Sequence, residues 1–153
     1  QLNLAAIYEK QGRSKEAAKA VEKGGKSGKA STEALERTGA QQMKAKNYDA
    51  ALKTYRQLAA ANPKRGLAYA NMGYIHSTKG QTDKAIENFK LAVKYDKEDE
   101  GAWLGLGESY EKKKMYKEAI EAYKAAYQIN PESRAAERIP QLRIRMLEEK
   151  HRD

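Results

Sequence analysis

Apolar residues recur along this chain at intervals of three and four, as in Ala102, Trp103, Leu106 and Tyr110, and again in Ala119, Ile120, Tyr123, Ala126 and Tyr127. That spacing puts each set on one face of an α-helix. The breaks between stripes carry turn chemistry. Gly12 and Gly80 end two of the helices, with Lys46 and Lys114 at the corresponding points elsewhere. Asn62-Pro63 and Asn130-Pro131 end two more, because proline disfavours helical backbone at the residue before it. The pattern predicts helices at about 1–11, 14–24, 33–45, 48–61, 66–79, 82–95, 100–113 and 116–129. A further helix over 134–151 is expected to carry Ile139, Leu142, Met146 and Leu147 on one side, with Pro140 kinking or restarting it.

The stripes themselves repeat. Thirty-four residues before Trp103 stands Tyr69; Gly107 is matched by Gly73 and Gly39, Tyr123 by Phe89, Tyr55 and Val21, and Ala119 by Ala85, Ala51 and Ala17. A two-helix unit thus occurs four times, at about 1–31, 32–65, 66–99 and 100–133. Neither helix of a pair can bury its stripe alone, so the pairs must stack. Small residues stand where helices approach most closely: Gly73 and Gly107 admit the partner helix, and Ala85 and Ala119 hold nothing away from it.

The last copy, with Trp103, Leu106, Gly107, Tyr110, Ala119, Tyr123, Ala126 and Pro131, resembles the signature of the tetratricopeptide repeat family. The third copy keeps Gly73, Gly80, Ala85, Phe89 and Ala92, but has Met72, His76 and Lys97 where the signature has Leu, an aromatic and Pro. The second is looser, with Leu35, Thr38, Gln42 and Leu58 at signature positions beside Gly39, Ala51, Tyr55 and Pro63. The first opens three residues into the frame at Gln1 and keeps Leu4, Tyr8, Gly12 and Ala17. A chain that begins inside a repeat without Met is expected to be a piece of a longer protein, and the apolar helix edge left there could support self-association. The resemblance implies an all-α, right-handed α-solenoid, with first helices lining a concave face and second helices a convex one. The repeats would fill residues 1–133, and residues 134–153 would cap the open end.

Composition narrows the chemistry. The chain has no Cys, which excludes disulfides and thiolate metal sites and leaves the compartment open. No apolar run approaches the roughly 18 to 20 residues of a membrane span. Thirty basic and 21 acidic residues give +9. Seven basic residues between Lys10 and Ala30 face only Glu16 and Glu22, so this stretch holds +5 of the excess. Lys15, Lys19 and Lys23 form a stripe there, followed by Lys26. It lacks interleaved arginines and aromatics, so a solvated face is expected; contact with nucleic acid or an anionic surface is the alternative reading. Gly24-Gly25-Lys26-Ser27-Gly28-Lys29-Ala30-Ser31 has the look of a phosphate loop but puts Ala20 or Lys23 where that loop needs its first glycine. Neither His76 nor His151 has a metal-ligand or catalytic partner at the required spacing. No enzymatic activity, cofactor or metal is therefore expected, and Glu108 and Glu111 read as a polar wall rather than an acid/base pair.

Position by position, the repeat frame assigns most prominent side chains to packing and leaves the concave wall as the candidate binding surface. That wall comprises Glu36, Ala40, Met43 and Lys44, then Ala70, Asn71, Tyr74 and Thr78, then Leu104, Glu108, Glu111 and Lys112. Tyr74 is the one aromatic that no core position explains, and it suits a role as an anchor for a partner's side chain. With Glu36, Glu108 and Glu111 in the wall, the expected ligand is a peptide or helix of another protein, apolar or basic in character. The two-carboxylate clamp that some members of the family use on acidic chaperone tails is not reproduced. Its Lys, Asn, Asn, Lys and Arg positions hold Glu36, Ala40, Asn71, Gly101 and Gly105 here, so only the second Asn is met.

Overall fold

The computed structural model describes residues 31–152. Over that range the backbone forms α1 (Thr32–Lys44), α2 (Tyr48–Ala61), α3 (Gly66–Thr78), α4 (Thr82–Tyr95), α5 (Glu100–Lys112), α6 (Tyr116–Ile129) and α7 (Ala135–Lys150). The helices expected at 1–11 and 14–24, the lysine stripe of Lys15, Lys19, Lys23 and Lys26, and the glycine-rich segment before Ser31 lie outside the described residues. Each helix packs on the next, most closely within the hairpins α1–α2, α3–α4 and α5–α6, and α3 also touches α5 directly. The result is an all-α solenoid. First helices form one layer and second helices the other.

One contact recurs in every described unit. The ring of Tyr55 lies over Gly39, that of Phe89 over Gly73 and that of Tyr123 over Gly107, so close that a Cβ on each glycine would stand 2.6 to 2.8 Å from ring carbons. Real Cβ atoms essentially never approach that near, so any other residue at these positions would force the two helices of a hairpin apart. Ala51, Ala85 and Ala119, all fully buried, bring the second helix close enough for the ring to land. Phe89 also abuts Gly105 of the next first helix, where a Cβ would stand 2.5 Å from its ring. The same ring therefore closes its own hairpin and the joint to the following one.

The turns between the helices of each pair follow a common geometry. Lys46, Gly80 and Lys114 occupy the left-handed region, with φ of 56°, 75° and 59°. Behind them Asn47 N–H donates to the Gln42 carbonyl, Gln81 N–H to His76 and Met115 N–H to Tyr110, at 2.8 to 2.9 Å. These bonds close the last turn of each first helix in a Schellman motif. At the other joints Asn62, Asp96 and Asn130 accept from the backbone N–H two residues on. Asp96 thus makes the same turn although Lys97 replaces the proline. Lys79 pairs with Asp49, and Lys113 pairs with Asp83 one repeat later. Such exposed pairs contribute only about 0–1 kcal/mol, but they recur in register with the units.

Helix α7 is a single but incompletely covered element. It is continuous through Pro140 and does not restart there; the bond lost for want of a proline N–H is one to the carbonyl of Ala136, an exposed residue. Its apolar side is also only partly covered. Ala135 and Leu142 are buried and Ile139 packs beside them, but Met146 and Leu147 are exposed. No further helix among the described residues closes over them.

The left-handed positions yield a stability test. Gly80 has open space where a Cβ would stand, so only the backbone conformation resists a side chain there. Gly80→Ala should cost about 1 kcal/mol. Lys114→Gly should gain about 0.5–1 kcal/mol, since relief of the left-handed strain exceeds the added chain entropy. Urea unfolding of the two variants measures both, and opposite signs are expected.

Candidate functional site

The candidate wall belongs to the first helices, whose outer surface is free of the ring-on-glycine contacts. On α1, Ala40 is exposed and Met43 packs partly against the first core cluster. Glu36 is held by Arg65, which stands at the start of α3 and donates from Nε to Oε1 at 2.7 Å. On α3, Ala70 packs partly against the middle cluster. The Asn71 side chain donates back to the Leu67 carbonyl at 2.9 Å. Tyr74 projects with 53% of its surface exposed. Glu36, Arg37, Ala40, Met43, Leu67 and Asn71 surround a cleft of about 540 Å3 between α1 and α3, with Tyr55 at its base.

The residues expected on α5 lie in a different setting. Leu104 is 8% exposed and belongs to the core cluster that includes Tyr123, Ala135 and Leu142, so it does not line an open wall. A first helix in mid-solenoid would leave this side chain facing the groove, but α7 packs on the last pair and draws it into the core. Glu108 pairs with Arg134, and Glu111 binds Arg138 through both carboxylate oxygens, with Nε donating to Oε1 at 2.9 Å. Tyr123 donates its hydroxyl to the same Oε1 at 2.7 Å. The two carboxylates thus tie α7 to α5. The structure groups Glu36, Ala40, Met43 and Asn71 around one cleft and separates them from Leu104, Glu108 and Glu111.

Electrostatics follows from these contacts. Burial alone pushes the Glu111 carboxyl up, but the hydrogen bonds from Arg138 and Tyr123 together outweigh it and hold the group below the usual carboxylate range. The same bond to Glu111 adds to burial in raising the Tyr123 phenol. Tyr55 is pushed up to about 12, first by burial and then by the nearby charge of Glu36. Arg37, Lys44 and Lys112 make no ion pair among the described residues, so this layer is not an acidic wall.

Several contributors escaped the sequence reading. Arg138 stands 34 residues after Leu104, so extending the frame into the cap would have placed it in the same column as Glu36 and Ala70. Leu67, 39% exposed, lies off the buried stripe of Ala68, Met72 and Ile75, which is itself a legible signal. His76 is buried with Nδ1 2.7 Å from Gln81 Oε1, a packing role as expected. Among the described residues no cluster of three or more His, Cys, Asp or Glu could hold a metal, and no helix is long and apolar enough to cross a membrane.

Stacked helix hairpins with an open cleft on the first-helix layer make up a helical repeat scaffold. A sequence model of the tetratricopeptide repeat matches residues 37–94 and again 71–134. The chain is 33% identical over 102 residues to the small glutamine-rich tetratricopeptide repeat-containing protein 2 of Mycosarcoma maydis, covering 67% of this chain and 29% of that one. It is 32% identical over 123 residues to the chloroplastic tetratricopeptide repeat domain-containing protein PYG7 of Arabidopsis thaliana, covering 78% and 41%. The chain therefore spans less than half the length of these curated relatives. The crystal structure of the Sgt2 repeat domain from Aspergillus fumigatus superposes with a TM-score of 0.68 at 29% identity, covering 80% of this chain and 82% of that one. The chain belongs to the tetratricopeptide repeat family. Its members generally mediate protein–protein interactions and are typically non-enzymatic.

Two titrations check the assignments around the cap and cleft. A depressed Glu111 contributes stability that is present above the ordinary carboxylate pKa of about 4.3 and lost as pH falls through its lower folded value. Wild type should therefore lose more stability than Glu111→Gln on acidification below about pH 4, as read by urea midpoints. Tyr55 has the opposite sign: its raised pKa favours the fold below about pH 10, and that contribution is lost between about pH 10 and 12. Spectrophotometric titration should show late-ionising tyrosines whose transition coincides with unfolding.

Proposed function

We propose that this domain is a non-catalytic adaptor whose first-helix layer holds a peptide or helix of another protein, seated at the cleft between α1 and α3 with Tyr74 beside it. The observations that carry this reading are a cleft whose apolar lining, Ala40, Met43 and Leu67, is left open by the packing, and the exposure of Tyr74 three residues along α3 from the cleft residue Asn71. A rigid aromatic loses little entropy on contact and offers both an apolar face and a hydroxyl. A groove already formed by stacked helices spends little ordering energy of its own.

The preference for a basic ligand is weaker than sequence suggested. It rested on Glu36, Glu108 and Glu111, and each of these is held by an arginine of this chain. The reading retained is an apolar side chain inserted into the cleft, with polar contacts from Asn71 and Arg37 at its rim. Affinity capture with wild type, Tyr74→Ala and Ala40→Arg identifies the partner. Calorimetry on that partner should then show Tyr74→Ala weakening binding by about 1.5–2 kcal/mol, roughly ten- to thirtyfold. Full affinity in both variants would refute the groove assignment.

A further inference from the structure

The opposite layer carries a second groove. It lies between the second helices α4 and α6, about 600 Å3 in volume, and its floor is Trp103, Leu106 and Tyr110 of the intervening α5. Trp103 is half-buried, with its indole N–H donating to the Lys97 carbonyl at 2.9 Å. Lys90, Lys94 and Lys97 line the α4 side, against one acidic neighbour, Glu98.

The preceding repeat supplies an internal comparison. There Tyr69 occupies the place of Trp103, and Tyr95 stacks on it with ring centroids 5.8 Å apart. Thirty-four residues after Tyr95 the chain has Ile129, and after Leu91 it has Ala125. Both replacements are smaller, and both line the open groove. The charges change in parallel: Ala60 becomes Lys94 and Pro63 becomes Lys97. Packing does not require a lysine at 97, because Asp96 makes the turn and only the backbone carbonyl of residue 97 receives the indole, as Pro63 receives the Tyr69 hydroxyl at 2.7 Å. Lys90 and Lys97 form no ion pair among the described residues, and Lys94 lies 5.3 Å from the Tyr95 ring centroid.

We infer that the α4–α6 groove is a second docking surface, which takes an acidic amphipathic helix of a partner protein. Lys90 and Lys94 stand one turn apart on α4 and Lys97 follows in the turn after it, so all three border one side of the groove and a helix lying alongside would present carboxylates to them from one flank. Its apolar face would meet Trp103 and the floor left open by Ala125 and Ile129. This surface is independent of the α1–α3 cleft, and the two readings stand or fall separately.

Trp103 is the only tryptophan in the chain, so its emission reports on this groove alone. The probe is a synthetic helical peptide with leucines on one face and a glutamate at each turn along one flank, titrated into the whole chain. The expected result is a saturable blue shift as water leaves the indole, weakened at least tenfold by Lys90→Glu with Lys94→Glu and weakened progressively by salt. Ala125→Leu with Ile129→Tyr, which copies the preceding repeat, should abolish the shift while thermal unfolding stays cooperative. Tyr74→Ala should leave it unchanged. No shift at saturating peptide, an equal response to a peptide with lysines in place of the glutamates, or undiminished binding by a folded Ala125→Leu/Ile129→Tyr variant would overturn the proposal. So would a shift produced by phosphatidylserine vesicles but not by the peptide.

Discussion

The seating of an aromatic ring on a glycine of the paired helix sets the geometry on which everything else in this domain depends. Tyr55 on Gly39, Phe89 on Gly73 and Tyr123 on Gly107 fix how near the two helices of each unit lie. A continuous core then follows from small residues such as Ala51, Ala85 and Ala119, which leave the second helix nothing to be held away by. Because the contact recurs in the same frame, each pair presents the same surface to the next, and the units stack without specific linkers. Side chains on the outer surfaces of both layers are released from packing duty. Function in a scaffold of this type resides in those released positions.

The last pair shows how α7 is held against the helices before it. Arg134 and Arg138 reach from α7 to Glu108 and Glu111, and Tyr123 adds its hydroxyl to the second of these. A half-buried carboxylate with three donor contacts is well satisfied, whereas the same group unpaired would oppose the packing of α7. The two glutamates thus serve the architecture, and the electrostatic character of the first-helix layer is set by what remains. Arg37, Lys44 and Lys112 remain on that layer, so its net character is far from the acidic wall that a count of glutamates suggests.

The two surfaces differ in the physics they bring to a partner. The α1–α3 cleft combines a small apolar lining with the amide of Asn71 and the guanidinium of Arg37, and Tyr74 is exposed three residues along α3 from Asn71. The α4–α6 groove is floored by aromatic and aliphatic residues of α5 and edged by lysines on one side. The first would derive specificity from shape and hydrogen bonding, the second from charge gathered along one side. The two clefts lie on opposite layers of the solenoid.

The 34-residue recurrence of ring, glycine and alanine determined the helix pairs and their stacking from sequence alone. Local periodicity and steric demand at the helix crossing depend only on which residues stand at which spacing. Helix boundaries between 32 and 129 fall within one residue of those expected, for the same reason. Asn71 and Tyr74 were legible too, as residues with no packing duty. What only the tertiary structure decided was the fate of side chains whose partners lie far along the chain: Leu104 drawn into the core by α7, Glu36 held by Arg65, and Glu108 and Glu111 taken by Arg134 and Arg138. The groove above Trp103 belongs with these, since it opens only because Ala125 and Ile129 of another helix are too small to fill it. A repeat frame says which face a residue is on; whether that face is free depends on the size and charge of whatever the stacking brings against it.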